Sequence, residues 1–495
     1  MNIYKKHLLW ICGVALLTSC DSFLDEVPDN RTELDSAEKI GELLAGAYPE
    51  SSYFMIAESM SDNATDIGSS GTSNIDLNTT MYYWEDTFED GRDTPTHYWN
   101  ACYSAIAQAN QALQAIEELE GGEALDGKKG EALLCRAYAH FMLVTLFGKA
   151  YDPETSGSDI GVPIITEPEK TVLVEYERAT VAEVYEQVEK DLTAGLELVT
   201  DDYEQPKFHF TRHAAYAFAS RFYLVKGEWE KVIDYTTRTL EGNPAKNIRD
   251  WNYYRTLTFD ETKLRHQSSE EPTNLLIVGA SSYYARQWAS GRYGASIDVR
   301  NELFSNSHPL SKSWAYSIFV YSSVRYFIPK YEEYFKYTNI SSGIGYPYAM
   351  NVLFTYDEVL LNRIEANIML NNFEPAVQDI NVYLSKKTRE YDPENDMLTL
   401  DELVGFYQPK VSQDQFSPHY TIAQNQLPLI KCVLDCRQRE FLHEGIRWID
   451  NKRLGMEIIH LDYDGNEYTL SKDDNRRQLQ IPEIAQALGM EANPR

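Results

Sequence analysis

Apolar residues recur at helical spacing along several stretches of the chain. Between Tyr98 and Leu119, the residues Cys102, Ala105, Ile106, Ala109, Leu113, Ile116 and Leu119 fall on one stripe. That is the 3.6-residue period of a packed helix, and Gly121-Gly122 ends it. A second helix is predicted over 131–147, stopping at Gly148. A third opens at Thr180-Val-Ala-Glu183, a capping box in which hydroxyl and carboxylate satisfy the free N–H groups of a helix start. It buries Val181, Val184, Val188, Leu192, Leu196 and Val199.

Two later segments share one pattern. Residues 217–233 and 361–377 each read as an apolar helix, a break at Gly227 or Asn371, an aromatic at Trp229 or Phe373, and a second apolar helix. Gly and Asn tolerate the left-handed backbone of a helix end, and the aromatic fills the fork of the hairpin. The pattern is similar to tetratricopeptide helix pairs, placing hairpins within about 98–240 and 355–386. Between them lie stretches without helical period. Residues 60–97 are rich in Asp, Asn, Ser, Thr and Gly and contain Tyr82-Tyr83-Trp84, while 281–337 hold nine Tyr, two Trp and four Phe. Near the C-terminus, 458–470 alternates around Asp464-Gly465, the signature of a short β-hairpin. The fold class is therefore mainly α, with a few short strands, and no linker divides it.

Charge narrows the function. With 45 Lys+Arg against 76 Asp+Glu the formal charge is −31, which argues against nucleic acid as a partner and against polybasic docking on anionic lipid. The N-terminus supplies another attachment. Lys5 and Lys6 precede an apolar run from Leu8 to Leu17, too short to span a bilayer but suited to a signal peptide. Leu17-Thr18-Ser19-Cys20 has the form of a lipobox, with cleavage before Cys20 and lipid on its thiol. Residues 1–19 are then a signal peptide, and 20–495 form a single domain of charge −33. Cys102, Cys135, Cys432 and Cys436 read as structural thiols, with a 102–135 bridge open in an oxidising compartment.

Several motifs together carry a family resemblance. Cys20-Asp-Ser-Phe23-Leu24-Asp25-Glu-Val-Pro28 resembles the mature start of SusD/RagB-type lipoproteins. Arg136-Ala-Tyr138 through Leu146-Phe147-Gly148 and Tyr356-Asp-Glu358 through Glu365-Ala366 are similar to two of that family's helices. The segment from Arg439-Glu440 through Glu444-Gly445, Arg447-Trp448, Asp450 and Arg453 to Gly455 is the most specific match, departing mainly at Asn451. Ile481-Pro482-Glu483-Ile484 with Asn493-Pro494 completes it.

The resemblance implies a SusD-like fold of four tetratricopeptide-like hairpins supporting an irregular, loop-rich half. It also implies an outer-membrane lipoprotein facing the cell exterior. Such a protein binds oligosaccharide or polysaccharide without catalysis or cofactor, and caps a SusC-like TonB-dependent transporter as a lid. Capture of peptide in the same role is the alternative; a surface glycosidase and a purely structural lid are more distant readings.

The chemistry along the chain fits binding better than catalysis. No phosphate-binding loop, nucleophile elbow or zinc-protease motif is present. His209-Phe-Thr-Arg-His213 has metal-like spacing, but Thr211 reads as a helix N-cap, which leaves His209 outside the helix and the rings unaligned. Asp462-Tyr-Asp464-Gly465 reads as a hairpin turn, since its glycine comes too early for a calcium loop. The Glu444–Arg453 motif reads as an internal charge network, with Trp448 packed beneath it.

Sugars present apolar C–H faces and a rim of hydroxyls, so a site needs flat rings beside polar side chains. Loops at about 60–97 and 275–340 have that mixture. The expected stacking residues are Trp84, Tyr283, Tyr284, Trp288 and Trp314, with Tyr82 and Tyr293 behind them. Asp62, Asn63, Asp86, Arg286 and Arg292 are the polar candidates.

Overall fold

A computed structural model describes residues 34–495 apart from 70–71, 120, 170–174, 306–307 and 414. The signal peptide, Cys20 and the 20–28 segment lie outside the described residues.

Helical hairpins form one side of the molecule. Helix α1 (Pro95–Glu118) starts at Thr94, whose hydroxyl accepts from His97 N, with Pro95 in the first turn where its missing N–H costs nothing. It packs on α2 (Asp126–Phe147), and α2 packs on α3 (Val181–Leu198). The capping box at Thr180 and Glu183 is formed in both directions. Helix α2 begins five residues before the sequence pattern predicted. Its first turn, with glycine at 127 and 130, looks like a turn in sequence. A Cβ on Gly130 would lie 2.6 Å from the Val199 nitrogen, so the glycine is there to let the end of α3 approach.

The matched hairpins are α4 (Arg212–Lys226) with α5 (Trp229–Thr239), and α6 (Tyr356–Met369) with α7 (Phe373–Lys387). They turn at Gly227 (φ 73°) and Asn371 (φ 60°), both left-handed. Far apart in sequence, they are neighbours in space, since α6 packs on both α4 and α5. Helices α8 (Leu427–Glu440) and α9 (Ile446–Arg453) then close over α6 and the N-terminal helix Phe54–Met60.

The other side is built from short elements. A three-stranded antiparallel sheet has β1 (Asn274–Ser281) and β2 (Tyr334–Asn339) flanking β3 (Ile344–Thr355). Along β3, Tyr346, Tyr348 and Met350 are half-buried, whereas Pro347, Ala349 and Asn351 are buried. Strand β3 runs straight into α6, with the Thr355 hydroxyl capping the helix through Glu358 N. The stretch 60–97 is more ordered than its composition suggests. It contains a helix, Asp76–Tyr82, that buries Leu77, Met81 and Tyr82. The hairpin of 458–461 with 467–470 forms as predicted. One hydrophobic core runs through both sides. Cys102, Cys135, Cys432 and Cys436 are buried free thiols, so the 102–135 bridge is absent.

Replacing Gly227 by valine should lower the unfolding temperature by the equivalent of about 1–2 kcal/mol or more. The new side chain needs a left-handed backbone and meets Tyr420 at 3.0 Å. Asn371→Gly should be near neutral, and thermal unfolding of both variants checks the pair.

Candidate functional site

The segment 437–453 is a buried charge network. Asp450 accepts from Arg437 Nε at 2.9 Å and Arg453 Nε at 2.9 Å. Arg453 also forks onto Glu365 on α6, and Arg437 reaches Asn362 at 2.6 Å. Despite the upward push of burial, the two guanidiniums hold the Asp450 carboxyl at about 2. Arg447 forks onto Asp62 with both bonds 2.7 Å. Lys330 bonds to Glu444, and the indole of Trp448 is fully buried. These groups are paired with one another, which makes the segment an internal network.

The expected metal-like pair is separated. His209 Nδ1 lies 2.7 Å from Glu131, and His213 Nδ1 lies 2.7 Å from the Tyr356 hydroxyl. Asp462 folds its turn back on itself by accepting from the backbone N–H groups of Asp464 and Asn466.

Most of the expected stacking rings are inside the protein. Tyr293, Tyr82, His460 and Trp84 form a column, with centroid spacings of 4.3, 4.1 and 4.4 Å. The Tyr82 hydroxyl donates to Leu461 O, and Trp84 Nε1 donates to Met60 O. Tyr284 donates to His443 O and packs edge-on against Phe54 and Tyr331. Trp288 is wedged against Phe327 and His443. Trp314 lies under the Arg439 guanidinium at 4.4 Å and beside His308. All six of these predicted rings are buried, because the irregular half has few aliphatic residues and packs its core with aromatics.

The polar candidates are also largely committed. Asp62 holds Arg447, Asn63 is buried between Glu58 and Gln438, and Arg292 forks onto Asp66. Asp86 pairs with Arg495 at 2.6 Å. Arg286 is exposed but bonded to Glu333.

Tyr283 differs from these. Its ring is half-buried, with the guanidiniums of Arg92 and Arg286 at 5.5 and 5.3 Å from its centre. Asp93, in a left-handed backbone conformation, accepts from Tyr283 N at 2.7 Å and from the Ser282 hydroxyl, so it fixes where Tyr283 stands. Burial pushes the Asp93 carboxyl up to about 6, while those two donors pull the other way.

Ser281 is paired with Tyr348 in the sheet, Ser282 N donates to Pro347 O, and Tyr283 follows at the turn into the helix Tyr284–Gln287, on the side of Tyr346. Arg92 lies between them, 5.4 Å from the Tyr346 ring, with its Nε on the Ser281 hydroxyl. Tyr348 and Tyr334 pair across the next strand at 5.4 Å, and Lys336 lies 5.7 Å from Tyr346. The result is a shelf of four half-buried tyrosines lined by cations, while exposed Phe335 and Tyr337 alternate onto the opposite face of the sheet. Of these residues the sequence named Tyr283 and Arg286 as candidates, but not Arg92, Tyr334, Lys336, Tyr346 or Tyr348. The alternation of 344–350, with Ile344, Tyr346, Tyr348 and Met350 at every second place, was the available signal.

A family model described as starch-binding, associating with the outer membrane, matches residues 22–224, and the SusD family model matches residues 214–487. The chain belongs to the SusD family. Among solved structures it resembles a SusD superfamily protein from Bacteroides thetaiotaomicron at 20% identity and TM-score 0.63, over 94% of this chain and 100% of that one. A putative sugar binding protein from Bacteroides vulgatus shows 22% identity and TM-score 0.63, over 94% and 99%. A SusD superfamily protein from the same species reaches TM-score 0.66 at 18% identity, over 94% and 99%. No curated protein matches. The SusD family model spans the late hairpin, the sheet and the charge network alike, so it covers the parts that position the tyrosine shelf.

The ionised Asp450 contributes stability that is present above its unfolded value and lost as pH falls through the folded one. Acid unfolding of the wild type should therefore steepen between about pH 4 and pH 2. Asp450→Asn should be less stable at pH 7 by about 3–5 kcal/mol, since it leaves the buried Arg437 without a carboxylate and Arg453 with Glu365 alone. It should also show a shallower acid limb, read by unfolding at stepped pH.

Proposed function

We propose that this SusD-family chain is a cell-surface glycan-binding lipoprotein without catalytic activity, anchored in the outer membrane through lipid on Cys20. In this reading it captures oligosaccharide and delivers it, as a lid, to a SusC-like TonB-dependent transporter. The observation that carries the binding role is the shelf of Tyr283, Tyr346, Tyr348 and Tyr334. Rings held on a sheet face offer rigid apolar area at little entropic cost, which suits the C–H face of a sugar. Arg92 and Lys336 at the edge supply donors for hydroxyl or carboxylate oxygens. The description of one matching family model as starch-binding, and of one neighbour as a putative sugar binding protein, supports the same ligand class. The lipobox and the outer-membrane association in the family description support the location. The transporter partnership rests on the family resemblance.

Retention of the purified protein in gels containing plant and microbial polysaccharides tests this. At least one polysaccharide should retard the wild type. Tyr283→Ala and Tyr346→Ala should each weaken that by about five- to thirtyfold, the loss of one ring contact worth about 1–2 kcal/mol, without altering thermal unfolding. Trp84→Ala should instead lower stability by about 3–5 kcal/mol, because its ring is core. Full retardation in both tyrosine variants would remove the shelf from the account.

A further inference from the structure

Away from the tyrosine shelf, a cavity of about 210 Å³ lies where four distant segments meet: 149–159 after α2, 417–419, the end of α9, and 472–478. Its lining is unusual for a chain of charge −31. Lys452 is buried and gives its ammonium to two carbonyls, Thr145 O at 2.6 Å and Gly148 O at 2.8 Å. Arg477 is buried beside it and bonds to the carbonyls of Ser471, Asn451, Met456 and Leu470. Neither cation has a carboxylate partner among the described residues, nor has Lys472, whose ammonium touches only the Ser417 hydroxyl. Burial, with the charge of Arg477 added, pushes the Lys452 ammonium down to about 7, the mark of positive charge left without compensation.

The carboxylates on the wall compensate Arg477 in part, since Asp474 and Asp473 act on it through space, but they do not compensate Lys452. Asp159 pairs with Lys149, and Asp474 pairs with Arg476. Asp152 accepts from Glu154 N, which leaves it and Asp473 as acceptors at the mouth. Two polar nitrogens are also unused. Gln478 is only 3% exposed, yet its Nε2 has no partner, and His419 Nε2 has none either. A buried donor without a partner costs about 1–3 kcal/mol, and four segments of chain converge to create this arrangement.

We infer that this cavity is a second binding site, for a small hydroxylated carboxylate of the sugar-acid class. The carboxylate sits toward Lys452, Arg477 and Lys472, and the hydroxyls reach Gln478, His419 and the free aspartates. Size agrees with chemistry. The cavity is below the ~300–1,000 Å³ typical of drug-sized ligands, so it takes a single sugar unit, whereas the open shelf suits a chain. The inference does not depend on the shelf being a glycan site.

Calorimetric titration of the full mature chain with sodium galacturonate tests it, with galactose and sodium sulfate as controls. Galacturonate should bind about tenfold or more tightly than either control. Lys472→Met and His419→Phe, both on the rim and not needed for the core, should each weaken it about fivefold or more and leave polysaccharide retention unchanged. Tyr283→Ala should leave galacturonate binding intact. Undetectable binding at millimolar galacturonate, equal affinity for galactose or for sulfate, or full binding in both rim variants would overturn the proposal.

Discussion

The structure depends on a rule about charge: a carboxylate or guanidinium taken out of water must find its opposite or a full set of hydrogen bonds. Helix α6 concentrates that demand. It carries Asp357, Glu358, Asn362 and Glu365, all buried, and each is answered from a different part of the chain. Lys387 on α7 takes Asp357, Arg221 on α4 takes Glu358, Arg437 on α8 takes Asn362, and Arg453 on α9 takes Glu365. Such pairs add little net stability over apolar packing but are costly to break, so they fix which helices meet. Since β3 continues into α6 at Thr355, the same node fixes the sheet and the tyrosines on its open face.

That arrangement separates two uses of aromatic residues. Inside the irregular half, rings replace the aliphatic core that the segment lacks. The column of Tyr293, Tyr82, His460 and Trp84 ties the 76–82 helix to the 458–461 strand, and the polar groups of Tyr82, His460 and Trp84 find backbone partners nearby. On the sheet, strand alternation turns every second residue outward, Tyr346 and Tyr348 among them, and Arg92 lies between the rings of Tyr283 and Tyr346. Only the second group has surface left to meet a ligand.

The helical half was legible from sequence because its signals are local. A stripe of apolar residues, a Thr-x-x-Glu box at 180–183 and left-handed stops at Gly227 and Asn371 each act within a few residues. The start of α2 was not legible, because Gly130 answers to the backbone of Val199, distant in sequence. The family motif at 439–455 was visible, and its reading as an internal network matches the pairing of Asp450. The site was legible only in composition. An excess of aromatics identifies a region, but whether Trp288 or Tyr283 keeps a free face is decided by what folds over it. For Trp288 that is Phe327 and His443, which bury it, while Tyr283 lies beside Arg92 and Arg286 and stays half-buried. The polar candidates misled for a related reason. An Asp or Arg suited to a hydroxyl is equally suited to another side chain, and Asp62 and Arg292 had partners waiting.

The central claim is that the open face of the sheet, not the buried aromatic column, meets the ligand. A crystal structure of the protein with an oligosaccharide that it retains tests this most directly. The account predicts a sugar ring stacked about 4 Å from Tyr283 or Tyr346, with a hydroxyl or carboxylate on Arg92 and the Tyr82–His460–Trp84 column unchanged. A sugar seated among Trp84, Tyr82 and Tyr293 after that column has opened, with the sheet face bare, would contradict it.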